Sequence, residues 1–271
     1  FRATEQWFVS METNELRKEA LAEIERVRWI PAYGRDRING MIENRPDWCL
    51  SRQRVWGTPI PGFTCVKCGK VLAHPRVIDH VADLIGQHGT DYWFANQAAA
   101  LLPAGTQCEG CGGTEFEKER DILDVWFGSG VSYAAVLKSR QLYPADLYLE
   151  GSDQHRGWFH SALLAGVITD HQAPYKAVLT HGFVLDGAGR KMSKSAGNVV
   201  APQDVMKASG ADILRLWVAA SDYSDDLRIG PEILKQHADL YRRLRNTLRY
   251  LLSNLNGFGE DERVAADAMP E

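Results

Sequence analysis

The chain has 271 residues, enough for one large or two modest domains, and 45% of them are apolar, ample for a core. Its net charge of −4 argues against bulk electrostatic attachment to nucleic acid, although a local basic face remains open. No run of 18 apolar residues exists to span a bilayer, and the start carries no signal-peptide pattern.

The opening Phe1-Arg2, without methionine, reads as the start of a fragment or processed piece. Residues 1–46 show no chemistry. Leu16, Ala20, Ile24 and Val27 recur at helical spacing, Pro31 and Gly34 punctuate the pattern, and Ile38, Met41 and Ile42 mark a shorter helix that ends by Pro46. Trp7 is expected in the core. From Trp48 to Pro61 the chain is dense in Trp, Arg and Gly. Arg52 and Arg54 fall on one side of any strand, where they suit a phosphate or a carboxylate, or equally surface ion pairs. Cys49 stands apart from the other cysteines and reads as a small buried side chain.

Residues 62–119 form the clearest separate unit. Cys65-x-x-Cys68-Gly69 and Cys108-x-x-Cys111-Gly112 are two knuckles, 39 residues apart. Four thiolates in paired spacing suit tetrahedral Zn²⁺ in a closed, structural site, and they fit a reducing cytosol better than disulfides do. The glycine after each second cysteine is expected to turn backbone N–H groups toward sulfur. The gap between the knuckles predicts a helix around Ile78–Ile85 and an apolar strand near Tyr92-Trp93-Phe94-Ala95.

Asp121 to Phe127 reads as a buried strand, Gly128-Ser129-Gly130 as a sharp turn, and Val131, Ala134, Ala135 and Leu137 as a short helix. Asp146-Leu147-Tyr148-Leu149 is short and β-prone. It runs through Gly151 into a helix that Ser152 or Asp153 can cap, with Trp158, Phe159, Leu163, Leu164, Val167 and Ile168 as its apolar stripe. A strand that ends in glycine at a helix N-terminus is where α/β proteins bind nucleotides, because free N–H groups and the helix dipole favour anions. Ala177–Leu185 reads as another strand. It feeds a polar loop between glycines, Gly187 to Asn198, in which Lys191 and Lys194 lie beside Ser193 and Ser195. Mobile point charges with hydroxyls beside them suit a polyphosphate. Helices follow from Pro202 and from Gly210, the second with Ile213, Leu214, Leu216, Trp217 and Val218 buried and Arg215 as an internal partner. Gly230-Pro231 begins a long amphipathic helix with Ile233, His237, Leu240, Leu244, Leu248, Leu251 and Leu255 in its stripe, arginines on its other face and Gly257 at its C-cap. The acidic tail is expected to fray.

Gly151-Ser152-Asp153-Gln154-His155-Arg156-Gly157-Trp158-Phe159, Thr180-His181-Gly182-Phe183 and Lys191-Met192-Ser193-Lys194-Ser195, in this order and spacing, resemble the C-terminal half of the catalytic domain of class I aminoacyl-tRNA synthetases. Within that class, the string Trp48 to Gly57 (WCLSRQRVWG) and Asp124-Val125-Trp126-Phe127 look like the isoleucine enzymes. The likeness runs from Arg2-Ala3-Thr4 to Gly257-Phe258. It implies an α/β fold: the C-terminal half of a Rossmann-like nucleotide-binding domain over 47–61 and 120–225. A zinc-ribbon-like insert occupies 62–119, and the first helix of an anticodon-binding bundle occupies 226–271. Residues 1–46 would follow an editing insert that this chain does not contain. The family's His-Ile-Gly-His element is not found, so the N-terminal half of the same enzyme is an expected partner.

The resemblance implies attack of isoleucine's carboxylate on the α-phosphate of ATP, which is bound with Mg²⁺, and then transfer of the acyl group to tRNA(Ile) in the cytoplasm. By this likeness Lys194, then Lys191, stabilise the phosphates, with Ser193 and Ser195 beside them. Glu150, Gly151, Asp153, Gln154 and His181 meet the adenylate, and Trp126 and Trp158 wall the aliphatic pocket. Zinc at Cys65, Cys68, Cys108 and Cys111 is structural. Read as residues alone, both tryptophans fit an ordinary core, and His155 and His181 fit either nucleotide contact or structure. The family usually has Asp where Gly128 stands. The alternatives are a valine or leucine enzyme, a non-catalytic zinc-ribbon RNA-binding module and a stand-alone nucleotidyltransferase.

Overall fold

The computed structural model describes residues 4–269, so Arg2 and Ala3 of the opening string lie outside the described residues. The chain divides into two compact units, Phe1–Thr180 and His181–Glu271.

The first unit begins with β1 (Phe8–Val9) and α1 (Leu16–Arg26), whose predicted face of Leu16, Ala20 and Ile24 is buried, with Val27 just beyond. A short strand that the periodicity did not announce, β2 (Arg28–Ile30), separates α1 from α2 (Tyr33–Glu43). Arg17 on α1 donates to the carbonyls of Ile42 (2.7 Å) and Glu43 (3.1 Å), so a cation satisfies the free carbonyl end of α2. β3 (Trp48–Cys49) pairs antiparallel with β1. β4 (Ser51–Arg52) leads into the insert. Arg54 lies outside that strand, and Arg52 faces the Asp124 carboxylate at 3.0 Å, which settles its partner as an acid.

The insert is a small sheet, β5 (Phe63–Cys65), β6 (Val71–Leu72) and, later, β7 (Phe116–Lys118), in the antiparallel order β6-β5-β7. Between them lie α3 (Pro75–His88), α4 (Asp91–Ala95) and α5 (Ala98–Leu101). α3 matches its expected place, opened by Pro75 and a His74 side chain that accepts from Arg76 N. Residues 91–95 are helical, not the expected strand. Lys118 Nζ donates to the carbonyls of Phe94 (3.2 Å) and Asn96 (2.7 Å), and this distant cation completes a helix end that β-prone side chains would not favour alone. Phe63, Val77, Val81, Trp93, Leu101 and Phe116 give the insert its own core. Trp7, expected in the core, is only half-buried. Its indole N–H donates to Glu119 at 2.8 Å and ties the N-terminal segment to the insert's exit.

Beyond the insert, β8 (Ile122–Leu123) pairs antiparallel with β4, and α6 (Val125–Gly130) follows at once. The expected strand to Phe127 and the turn at 128–130 are therefore corrected. Asp124 accepts from Trp126 N at 3.3 Å and starts a helix where a strand was read. A π-helical segment, Tyr133–Lys138, replaces the short helix expected there. β9 (Tyr148–Gly151) then leads to α7 (Trp158–Asp170). α7 is buried nearly all round, from Phe159 through Val167, so it is the central helix of the unit and not a one-sided stripe; Ile168 is exposed. β10 (Ala177–His181) lies between β2 and β9 and runs parallel to β2, with Val178 opposite Trp29. Buried Glu23 of α1 accepts from Ala173 N at 2.8 Å and anchors the chain between α7 and β10.

In the second unit, the strand read over 177–185 is interrupted. Gly182 N donates to Tyr223 O (2.9 Å) and Phe183 N to Asp226 (2.7 Å), so β11 (Val184–Leu185) starts a new ladder. α8 (Pro202–Ser209) and α9 (Ala211–Ala219) follow, then β12 (Leu227–Arg228), parallel to β11, and α10 (Pro231–Asn254). On α9 only Ile213 and Trp217 are buried. Val218 faces solvent, and Arg215 pairs with Asp212 on the surface. α10 runs as expected, with the leucines from Leu240 to Leu255 exposed and Gly257 in the left-handed region beyond its end (φ 86°). Two 3-10 turns, Glu260–Glu262 and Ala266–Ala268, continue the tail.

Candidate active site

The junction of β9 and α7 is not the simple strand–turn–helix of the sequence reading. Gly151 ends β9, a 3-10 turn spans Ser152–Arg156, and α7 starts only after Gly157. Neither Ser152 nor Asp153 caps α7. Gln154 Oε1 accepts from Trp158 N at 2.8 Å, so a glutamine one turn back satisfies the first free N–H. Gly157 is required by what lies over it. A Cβ there would stand 2.5 Å from Gln154 Oε1 and 2.9 Å from the Trp126 ring. A side chain there would push Gln154 or the Trp126 ring away from the start of α7.

Trp126 is held from its other end. Asp124, 5% exposed, caps α6 and accepts from Trp48 Nε1 at 3.0 Å while facing Arg52. Two cavities open beside Trp126. One of about 280 Å³ is lined by Arg45, Trp48, Asp124, Arg156, Gly157 and His160. A groove of about 970 Å³ is bounded by Arg54, Trp56, Ile122, Val125 and Gly128. Burial pushes His160 down to about 4, so it is a neutral wall there. Trp158 is packed more tightly. It stacks on Tyr148 (centroids 4.0 Å apart) and its N–H donates to Ser129 O at 3.1 Å. Glu150 and Asp153 are exposed, and Gln154 is half-buried between them and Trp126. His155 is fully buried, with Nδ1 on Ser152 O at 3.0 Å and its ring against Trp29 and Phe159. The structure therefore assigns His155 to packing.

The lysine loop belongs to the second unit. Asp186, 6% exposed, accepts from Ala188 N (3.0 Å), Arg190 N (2.8 Å), Arg190 Nε (3.0 Å) and Asn198 Nδ2 (2.9 Å). These donors, Asn198 foremost, hold its carboxyl down at about 2. Asn198 also donates to Lys191 O (3.1 Å) and accepts from Ser193 N (3.0 Å). Ser193 and Ser195 share a hydroxyl contact at 3.2 Å. Lys191 and Lys194 are exposed, and neither pairs with a carboxylate among the described residues. His181, at the end of β10, is half-buried with Nδ1 on Gly182 O at 2.8 Å. The structure thus gathers Trp126, Gln154 and Trp158 around Gly157 in one unit, and Lys191, Ser193, Lys194 and Ser195 in the other. Sequence reasoning missed Gly157 as a seat, Asp124 as a cap and the Asp186–Asn198 pair. Only the spacing Asp124-x-Trp126 carried a cap signal.

In the insert, the sulfurs of Cys65, Cys68, Cys108 and Cys111 lie within 4.8 Å of one another, with Cys65–Cys111 at 3.6 Å and Cys68–Cys108 at 3.5 Å. A tetrahedron with Zn–S bonds of about 2.3 Å has edges of about 3.8 Å, so the donor set fits a metal ion of that kind. Gly69 and Gly112 take left-handed backbone (φ 72° and 66°) after each second cysteine, as expected. The N–H that reaches sulfur is nevertheless that of Gly110, at 3.4 Å from Cys108. It draws the Cys108 thiol down to about 7. Against an opposing Lys70 N–H, the Cys111 and Cys108 thiols push Cys68 up to about 12.

Residues 1–230 match the class I tRNA synthetases described as I, L, M and V. Over its whole length the chain is 64% identical to the isoleucine--tRNA ligase of Geobacter sulfurreducens. It is 55% identical, over 95% of its length, to that of Aquifex aeolicus. It spans 30% and 28% of those relatives. Among solved structures it resembles the LeuRS of Agrobacterium radiobacter, crystallised in ternary complex with tRNA and LeuAMS (TM-score 0.59, 21% identity, 83% of this chain and 30% of that one). It also resembles the methionyl-tRNA synthetase of Mycobacterium tuberculosis bound by methionyl-adenylate (TM-score 0.53, 19% identity, 87% of this chain and 37% of that one). The fold, the lysine loop and the match over residues 1–230 together make this chain a member of the class I tRNA synthetases.

Proposed function

We propose that the chain supplies the C-terminal half of the catalytic domain for the activation of isoleucine by ATP and its transfer to tRNA(Ile). The observation that carries this reading is the meeting of Trp126, Gln154 and Trp158 at Gly157, in a chain so close in sequence to isoleucine--tRNA ligases. Trp126, 40% exposed between two cavities, offers an aromatic wall for an aliphatic side chain, and Trp158 braces the floor through Tyr148. Gln154 is placed for the substrate's amino group. Gly151 permits close approach of a ribose, and Asp153, Glu150 and His181 complete the adenylate contacts.

The chemistry needs positioning and charge neutralisation more than a covalent catalyst. The isoleucine carboxylate forms a bond to the α-phosphorus as the bond to the bridging oxygen breaks, and pyrophosphate leaves with the negative charge. Lys194 and Lys191, unpaired and on a mobile stem, take up that charge, with the Ser193 and Ser195 hydroxyls donating beside them. Mg²⁺ bound with ATP would supply part of the same charge neutralisation. Cys65, Cys68, Cys108 and Cys111 would hold Zn²⁺ for structure, because four thiolates leave no open position. The exposed leucine row of α10 begins an anticodon-binding bundle, and residues 1–46 connect to an editing insert. The N-terminal half of the nucleotide fold is the expected partner. No helix among the described residues is long and apolar enough to cross a membrane, and the cytoplasm is the proposed compartment.

The test is amino-acid-dependent exchange of pyrophosphate into ATP by this chain joined to the complementary half. Exchange that depends on isoleucine at least tenfold more than on valine or leucine is expected. Equal exchange with valine or leucine, or exchange without any amino acid, would contradict the reading.

A further inference from the structure

We propose that Asp186 and Asn198 are positioning residues for phosphate binding: their paired side chains fix the backbone that presents Lys191, Ser193 and Lys194, and Asp186 withdraws Arg190 from the cations offered to phosphate. The inference rests on the reading that this loop takes the phosphates of ATP.

The loop has little else to hold it. Between Leu185 and Val199 its only large apolar side chain is Met192, and Gly189 and Gly197 stand in the left-handed region (φ 79° and 63°). A chain so rich in glycine has many conformations to lose, so its shape must come from polar contacts. These converge on one buried carboxylate. Two backbone amides, one guanidinium and one side-chain amide donate to Asp186. Asn198 relays this anchor onward, since its Nδ2 and Oδ1 hold Lys191 O and Ser193 N on either side of Met192. Asn198 thus ties the backbone on both sides of Met192 to Asp186, beside the Leu185–Lys191 backbone bridge and the bond from Asp186 N to Arg190 O at 2.9 Å. Arg190 meets the carboxylate through both Nε and Nη2 at 3.0 Å. Both contacts fall on Oδ2 and draw the guanidinium toward Asp186, while the arginine side chain stays 74% exposed. Of the three cations Arg190, Lys191 and Lys194, the two lysines are without a carboxylate partner among the described residues.

A clasp that only stabilised the fold would leave phosphate affinity untouched once the fold is intact. The test therefore reads both. The full chain is titrated calorimetrically with inorganic tripolyphosphate, and amide hydrogen exchange is followed on the same samples. Asn198→Asp sets two carboxylates against each other. It is expected to weaken tripolyphosphate about tenfold or more, in keeping with the loss of hydrogen bonds to a charged group, and to speed exchange at Arg190 and Ser193 while α9 stays protected. The swap Asp186→Asn with Asn198→Asp leaves a carboxylate facing Lys191 O and a neutral amide facing Arg190, so it is expected not to restore affinity. Should Asn198→Asp also expose α9, Asn198→Ser replaces it as the milder break. Wild-type affinity in the single variants overturns the proposal, and so does wild-type affinity in the swap. Loss of binding in Lys191→Ala with Lys194→Ala, beside unchanged binding in the clasp variants, removes the clasp alone. Unchanged binding in the lysine variant, or none in the wild type, removes the phosphate reading and the proposal with it.

Discussion

Removing metal from the four-cysteine cluster is expected to unfold residues 62–119 while the core around α7 stays intact. The insert's sheet has strands of only two or three residues, and its apolar core includes two of the ligands themselves, Cys65 and Cys108. A core of that size supplies no more than about 3–5 kcal/mol, whereas structural zinc in small domains contributes about 10–16 kcal/mol of apparent binding energy at neutral pH. Zinc held as proposed would outweigh that core, so chelation or Cys65→Ala would remove most of what holds the knuckles together. Amide exchange checks this directly. Protection at Phe63, Val81 and Trp93 should collapse, and protection at Leu163 and Leu164 should persist. Retained protection in a metal-free sample would show that the apolar cluster suffices. Trp7, bonded to Glu119 at the insert's exit, offers a second probe through its indole fluorescence.

Lys194→Ala is expected to slow isoleucine-dependent pyrophosphate exchange by about 10²–10³-fold, the usual cost of losing one donor aimed at charge that develops in the transition state. The KM for isoleucine should change little, because the place proposed for the lysine is at the leaving phosphates and not at the amino acid. Lys191→Ala should cost less. Both side chains are exposed and unpaired among the described residues, so their loss leaves no buried partner stranded and the effect reads out on chemistry. A change below about threefold in Lys194→Ala would remove this residue from the mechanism. The exchange assay uses the chain joined to the complementary half, with thermal unfolding of each variant as a control.

Local patterns were legible where one face met one core. The helices at 16–26 and 75–88 follow their apolar spacing, the helix at 231–254 forms with its leucine row exposed, and the paired cysteines are brought together as read. The failures share a cause: a distant partner decided a local choice. Tyr92 to Ala95 look like a strand until Lys118 supplies the missing helix end from the other side of the insert. Asp124 looks like the middle of a buried strand until it caps α6 and turns to Trp48 and Arg52. The apolar run on α9 gives no clue that only Ile213 and Trp217 face inward. The site shows the same division. The strings around 149–159 and 191–195 announce themselves, but the need for glycine at 157 arises from Gln154 and from Trp126, 31 positions upstream, which spacing along the chain cannot supply.

The central claim is that the walls of an isoleucyl-adenylate site reside in this chain. Calorimetric titration with a non-hydrolysable isoleucyl-adenylate analogue, beside its valyl and leucyl counterparts, tests it most directly, with zinc content measured on the same sample. The account predicts preferential binding of the isoleucyl form that weakens about tenfold or more in Trp126→Ala and in Gly157→Ala, where a methyl group would displace Gln154 and Trp126. Equal affinity for all three analogues, or binding indifferent to both substitutions in a folded, zinc-loaded sample, would contradict it.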